Sequence, residues 1–225
     1  MRIVEKNSWS RAENKRLIIN MTKKSISGKL VVIEGLDGSG KSTQMALLEQ
    51  ELIKRGSNYC LTREHTRDGA VGKLIERVLS SRGKLDSIAL QLLFVADRLD
   101  HLERVIRPEL DKGKLVICDR YYWATVAYGC LAADKNWLLD LNRYCLEPDL
   151  VIYLDVGLEE AMRRIGGRGE KEKIFEKLSQ MKQFARGYDW LLGKFPDRSV
   201  RVSGEKPAVN VASDIMRVLE TKGLI

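Results

Sequence analysis

The chain has 225 residues, 39 Lys and Arg against 31 Asp and Glu for a net charge of +8, and 44% apolar side chains, enough to bury one ordinary core without staples. Its longest charge-free stretch, Tyr121 to Ala133, falls short of the roughly 18 apolar residues a membrane span needs, so composition points to a soluble, cytoplasmic globular protein. Four cysteines without a C-x-x-C pair and only two histidines, His65 and His101, lack the ligand spacing of a structural zinc site; Cys60 and Cys118, inside apolar runs, read as reduced, buried small hydrophobes.

Residues 1–30 hold eight basic and two acidic side chains, whereas the other 195 hold 31 and 29. The positive charge is therefore N-terminal, and the near-balanced body argues against a nucleic-acid partner. Residues 1–28 lack a signal-peptide core and read as a loosely ordered basic extension ahead of one domain over 29–225; translation from Met21 is the alternative. From Lys29, short β-branched runs alternate with helical patterns. Strands are predicted over Leu30–Glu34, Tyr59–Arg63, Leu115–Asp119, Leu150–Asp155 and Val200–Ser203. A helix is predicted over Ser42–Arg55, with Met45, Leu48 and Leu52 on one face and Gly56 as its cap. Together they predict an α/β fold with a doubly wound, five-stranded parallel sheet.

The first strand runs into Gly35-Leu36-Asp37-Gly38-Ser39-Gly40-Lys41-Ser42-Thr43 and then a helix, the setting in which G-x-x-x-x-G-K-S cradles a polyphosphate. Backbone N–H groups and the helix N-terminus hold the phosphates, Lys41 reaches their outer end, and the Ser42 hydroxyl suits Mg²⁺. No N-K-x-D follows the loop, which argues against a GTPase. The strand ending at Asp119 continues with Arg120 rather than Glu, which suits a small kinase: a carboxylate for the metal, a guanidinium for a second phosphate. Phe94 and Arg98, four apart, share one helical face.

These blocks in this order, with Thr62-Arg63-Glu64, Leu93-Phe-Val-Ala-Asp-Arg98, Asp119-Arg-Tyr121 with Ala127-Tyr128, and Pro148 to Asp155, resemble the dTMP kinase family of P-loop nucleoside monophosphate kinases from about Lys29 to Leu219. The resemblance implies ATP- and Mg²⁺-dependent phosphorylation of dTMP to dTDP. It implies that Arg63 and Arg120 clamp the acceptor phosphate, that Phe94 stacks on thymine and Arg98 donates to a base carbonyl, and that Tyr128 presses on the sugar. Asp37 would face the acceptor sugar or the metal shell, Glu64 the acceptor, and Ser42 and Asp119 the metal. Arg163 to Lys173 resembles the family lid, here placed at about 164–174. Because the phosphate loop carries no basic residue before Lys41, Arg164 and Arg168 would neutralise the transferring phosphoryl with Lys41 and Arg120. A homodimer through helices near Leu85 to Arg104 is also implied. A buried structural role for Tyr128 and a solvated loop role for Glu64 stay open at this point. The family's usual Pro and glycines after Thr-Arg-Glu are replaced by His65-Thr-Arg-Asp68, and its Ser-Ser and Gln around Ala-Tyr by Ala124-Thr125 and Gly129. Base selectivity is thereby left open, and His65 reads as a loop residue. The rival readings are a kinase for another nucleoside monophosphate or a deoxynucleoside, with Glu64 as base, and a regulatory nucleotide-binding protein contacting nucleic acid through its N-terminus.

Overall fold

The computed structural model describes residues 27–80, 85–166 and 171–225, apart from the side chains of 171–176. The five apolar runs form β1 (Lys29–Gly35), β2 (Tyr59–Arg63), β3 (Leu115–Asp119), β4 (Leu150–Asp155) and β5 (Ser199–Ser203). They make one sheet in the order β2-β3-β1-β4-β5, every neighbouring pair parallel. The three inner strands are buried almost throughout, as expected of a parallel sheet covered on both faces. Cys118 on β3 is fully buried, but Cys60 is only half-buried because β2 is an edge strand; the sequence-based burial of Cys60 is corrected on that ground.

The helices are α1 (Lys41–Lys54), α2 (Ala70–Ser80), α3 (Ser87–His101), α4 (Arg107–Asp111), α5 (Tyr122–Gly129), α6 (Lys135–Leu141), α7 (Leu158–Arg164), α8 (Lys171–Lys194) and α9 (Ala208–Thr221). Alternate residues of β1 feed two cores, as the two-residue strand period requires. Val31 and Ile33 pack with Leu48 and Leu52 of α1 and Val211, Ile215 and Leu219 of α9. Leu30 and Val32 pack on the opposite face with Trp123 and Val126 of α5 and Tyr188 and Leu191 of α8. Gly56, at φ 64°, closes α1 as predicted: its N–H reaches Ile53 O and the Ser57 N–H reaches Leu52 O, both at 3.0 Å.

Between α3 and α4 the helix continues through one π turn, Leu102–Ile106, in which the Arg107 N–H reaches back to Leu102 O. Leu102, Ile106 and Leu110 are all buried in the same core. Of the basic extension, Gly28 is buried and donates its N–H to Leu110 O at 2.9 Å; residues 1–26 lie outside the described residues. Helix occupies both ends of the segment whose composition reads as a loop. Arg163 and Arg164 form the last turn of α7, whose acidic first turn and basic last turn suit the helix dipole, and α8 begins at Lys171. Among the described residues no helix is long and apolar enough to cross a membrane.

Candidate active site

The sheet register sets Asp119 beside Ile33 of β1 and Arg63 of β2, so the carboxyl ends of the three strands open into one crevice, the usual ligand position in such folds. The β1–α1 loop forms its floor. Gly38 stands at φ 81°, and a Cβ there would lie 2.3 Å from the Ala161 carbonyl oxygen, so only glycine fits that turn. The cleft above it, about 460 Å³, is lined by Asp37, Lys41, Ser42, Arg63, Asp119, Arg120 and Arg164 among others. Lys41 is buried, and its Nζ donates to Gly35 O at 3.0 Å and Leu36 O at 2.8 Å. Burial, then repulsion from Arg120, brings its pKa down to about 7.

Asp119 is 7% exposed, and its Oδ1 is buried without a hydrogen-bond partner among the described residues. Ser42, in the first turn of α1, lines the same cleft. An orphaned carboxylate oxygen and a hydroxyl in one cleft are the donor chemistry that Mg²⁺ takes, so the residues present fit the ion. Arg164 donates Nε to Glu160 Oε1 at 2.7 Å and Nη2 to Gly204 O at 3.0 Å. A Cβ on Gly40 would come within 3.7 Å of its Nη1, so the guanidinium overhangs the phosphate loop. Arg168 lies outside the described residues.

Arg120 follows β3 at φ 70°, a conformation costing a non-glycine residue about 1–3 kcal/mol and concentrated at functional sites. The turn is held by its N–H to Ile33 O at 3.0 Å. It aims the guanidinium at Asp37, an ion pair, and at the hydroxyls of Tyr128 at 3.1 Å and Tyr188 at 3.3 Å. The guanidinium also lies over the Tyr128 ring, 5.0 Å from its centroid. Tyr188 in turn donates to Glu34 Oε2 at 2.9 Å, while Glu34 Oε1 accepts the N–H groups of Tyr121 at 2.9 Å and Ala124 at 3.2 Å. Burial is the main influence on the Glu34 carboxyl and lifts its pKa to about 7, against the opposing pull of Arg120.

A second cavity of about 460 Å³ continues from the first and shares Asp37, Arg63, Glu64 and Arg120 with it. Its walls include Phe94, Leu90, Tyr128 and Phe184, with Gln91, Arg98 and Thr125 among the polar groups. Tyr128 is therefore a wall residue of the cavity as well as a partner of Arg120, and burial raises its phenol pKa to about 12. Arg98 is almost wholly buried, with Nε on Glu64 Oε2 at 2.6 Å and Nη1 on Thr125 Oγ1 at 3.0 Å and Asn142 Oδ1 at 2.6 Å. Glu64 is not a solvated loop charge. It is 6% exposed, and its other oxygen faces His101 Nδ1 at 3.3 Å, because β2 ends against α3. His65, for which the sequence offered no partner, bonds Glu76 of α2 at 2.8 Å and lies 5.8 Å from the Phe94 ring.

Four supporting residues escaped the sequence reading: Glu34, Tyr188, Asp97 and His101. Asp97 fastens the loop after β2 through Thr66, accepting its N–H at 2.8 Å and its hydroxyl at 2.6 Å. His101 bridges Glu64 and the Thr62 hydroxyl, which stands 2.7 Å from Nε2. Only Glu34 carried a sequence signal: a carboxylate in an otherwise apolar central strand must have a buried partner or a function.

Comparison with known proteins agrees with this geometry. The family model described as thymidylate kinase matches residues 33–215. A probable thymidylate kinase of Thermococcus onnurineus is 40% identical over 200 residues, covering 84% of this chain and 96% of its own. The thymidylate kinase of Desulfotalea psychrophila is 38% identical over 158 residues, 69% of this chain and 78% of its own. A probable thymidylate kinase of Methanocaldococcus jannaschii is 37% identical over 164 residues, 72% and 81%. With a phosphate loop, a second cavity opening onto it and a match across most of its length, this chain belongs to the thymidylate kinase family.

Proposed function

We propose that this chain transfers the γ-phosphoryl group of ATP to the 5′-phosphate of dTMP, giving dTDP and ADP. The observation that carries this reading is the pair of contiguous cavities sharing Arg63 and Arg120: one suited to a polyphosphate, one to a pyrimidine nucleotide whose phosphate meets it. An acceptor phosphate oxygen attacks the γ-phosphorus, and the bond to the β–γ bridging oxygen breaks. The acceptor is already an anion, so no strong base is needed, and both Glu64 oxygens are engaged elsewhere. That engagement also weighs against a deoxynucleoside kinase that would use Glu64 as base.

Catalysis then rests on position and charge. Lys41 would exchange its two carbonyl partners for phosphate oxygens. Arg120, fixed by Asp37 and the two tyrosines, would hold the acceptor phosphate with Arg63. Arg164, and Arg168 from the lid, would face the transferring group and keep water from accepting it. Ser42 and Asp119 would hold Mg²⁺, which when bound supplies positive charge to the phosphate oxygens. Phe94 would stack on the base and Tyr128 press on the sugar. A pocket that senses one methyl group is worth about 1–3 kcal/mol, so dTMP is preferred over dUMP without excluding it. Leu85, Ile88 and Leu92 are exposed on or beside α3, which supports pairing with a second copy of the chain there.

The test is ADP release from ATP and Mg²⁺ with dTMP, dUMP, CMP, AMP, GMP and thymidine offered separately. Preference for dTMP is the expected result. Preference for thymidine or another nucleotide overturns the acceptor assignment, and no stimulation by any of them overturns the kinase reading.

A further inference from the structure

Gln91 is a polar lining residue of the second cavity that nothing above uses. It lies on α3 three residues before Phe94 and seven before Arg98, the i, i+3, i+7 spacing that places all three on one helical face, and all three line the cavity. Gln91 is 6% exposed, yet its Oε1 is buried with no hydrogen-bond partner among the described residues. A buried carbonyl left unpaired is costly, and a ligand donor relieves that cost.

Its carboxamide packs against the face of α5: a Cβ on Gly129 would stand 3.0 and 3.1 Å from the Leu138 methyl carbons and 3.2 Å from Gln91 Cδ. Gly129 lies one turn beyond Thr125, whose hydroxyl takes Arg98 Nη1 at 3.0 Å, so the Gln91 amide and the Arg98 fork stand about one helical pitch apart, ~5 Å. That separation suits two groups on one edge of a pyrimidine ring.

We propose that Gln91 reads the acceptor base, its side-chain oxygen accepting the ring N3–H of a pyrimidine-2,4-dione while Arg98 donates to a flanking carbonyl. This rests on dTMP as the acceptor and deepens that reading. An acceptor beside a donor matches thymine and uracil. Cytosine presents the reverse, a ring nitrogen that accepts beside an amine that donates. The contact is made to a part of the nucleotide that does not change during phosphoryl transfer, so its loss acts on KM and leaves kcat.

The experiment measures steady-state kinetics of the full chain with dTMP and with N3-methyl-dTMP, which has no N–H to give. Gln91→Met keeps the side chain's bulk without its acceptor, and Gln91→Ala removes both. Gln91→Met is expected to raise the KM for dTMP about tenfold, the worth of one buried hydrogen bond, with kcat within about twofold. The wild-type preference for dTMP over the methylated analogue should shrink about tenfold in Gln91→Ala. An unmoved KM in Gln91→Met, or equal losses for both nucleotides, overturns the inference while the acceptor reading stands. Wild-type chain that phosphorylates other nucleotides but not dTMP overturns both.

Discussion

Substitution of Glu34 by Gln should make the protein more stable and less active, with the gain appearing only as pH rises. Glu34 is fully buried in β1, and its carboxyl pKa stands at about 7 against 4.5 for an ordinary glutamate. The folded chain therefore holds this proton more tightly than the unfolded chain. Stability from this group is complete below about pH 4.5 and is lost as pH rises through about 7. At roughly 1.4 kcal/mol per pH unit the full loss is about 3 kcal/mol. Gln keeps the shape, and its oxygen can still accept from Tyr121 and Ala124, but it cannot ionise. Urea denaturation of wild type and Glu34→Gln at pH 5, 6, 7 and 8 should give a separation that grows from about 0.8 kcal/mol at pH 5 to about 3 kcal/mol at pH 8, the variant being the more stable. Subtracting one protein from the other cancels every group they share. Turnover should fall, because Glu34 opposes the charge of Arg120 and anchors Tyr188 beneath it. A stability difference that does not change between pH 5 and pH 8 would refute the burial account of this carboxyl.

Lys41→Met should lower kcat by at least about 10²-fold through lost transition-state charge stabilisation, with the melting transition retained; unchanged turnover in an ADP-release assay would contradict the phosphate-loop assignment. Gly38→Ala forces a Cβ against Ala161 O at φ 81° and should cost about 1–3 kcal/mol in denaturant titration while raising the KM for ATP. Arg98→Ala leaves the buried Glu64 carboxylate without its guanidinium partner and with only His101 beside it, a loss of about 3–5 kcal/mol that Arg98→Ala with Glu64→Ala should partly recover in a double-mutant cycle. Arg164→Ala with Arg168→Ala should reduce kcat by about 10³ to 10⁵ if these arginines meet charge on the transferring phosphoryl; an effect confined to KM would assign them to ground-state binding.

The three inner strands were legible because burial on both faces demands continuous apolar runs, and the partly buried edge strands β2 and β5 through their alternation with helical patterns. The phosphate loop was legible because its glycines, lysine and serine are required together. Arg63, Asp119 and Arg120 could be placed as well, since each sits at the carboxyl end of a strand. What could not be read is pairing across distance. Glu34 and Tyr188 are 154 positions apart, Arg98 and Asn142 are 44 apart, and neither member of either pair advertises the other. Edge position was equally hidden: Cys60 and Cys118 occupy similar runs, and only strand order separates a half-buried thiol from a buried one. Gln91 was one turn from a residue singled out for the site. Its neighbours are apolar, and nothing in them marks its side chain as facing a cavity.

The π turn at Leu102–Ile106 acts as a phase corrector between two faces of one long helical rod. An α-helix turns about 100° per residue, so positions spaced by four drift about 40° at each step. Uncorrected, that drift would carry Leu110 well off the azimuth of Arg98. The wider turn, with its five-residue bond, absorbs one extra residue and brings Leu102, Ile106 and Leu110 back onto the core while Gln91, Phe94 and Arg98 stay on the cavity. Deleting a single residue from this turn would restore ideal hydrogen bonding with the two halves of the rod still in phase, whereas regularising it at full length would rotate one half against the other by about 100°. The nucleotide cavity and the core beneath it are thus held in register by a local irregularity, and regularising the helix would separate them.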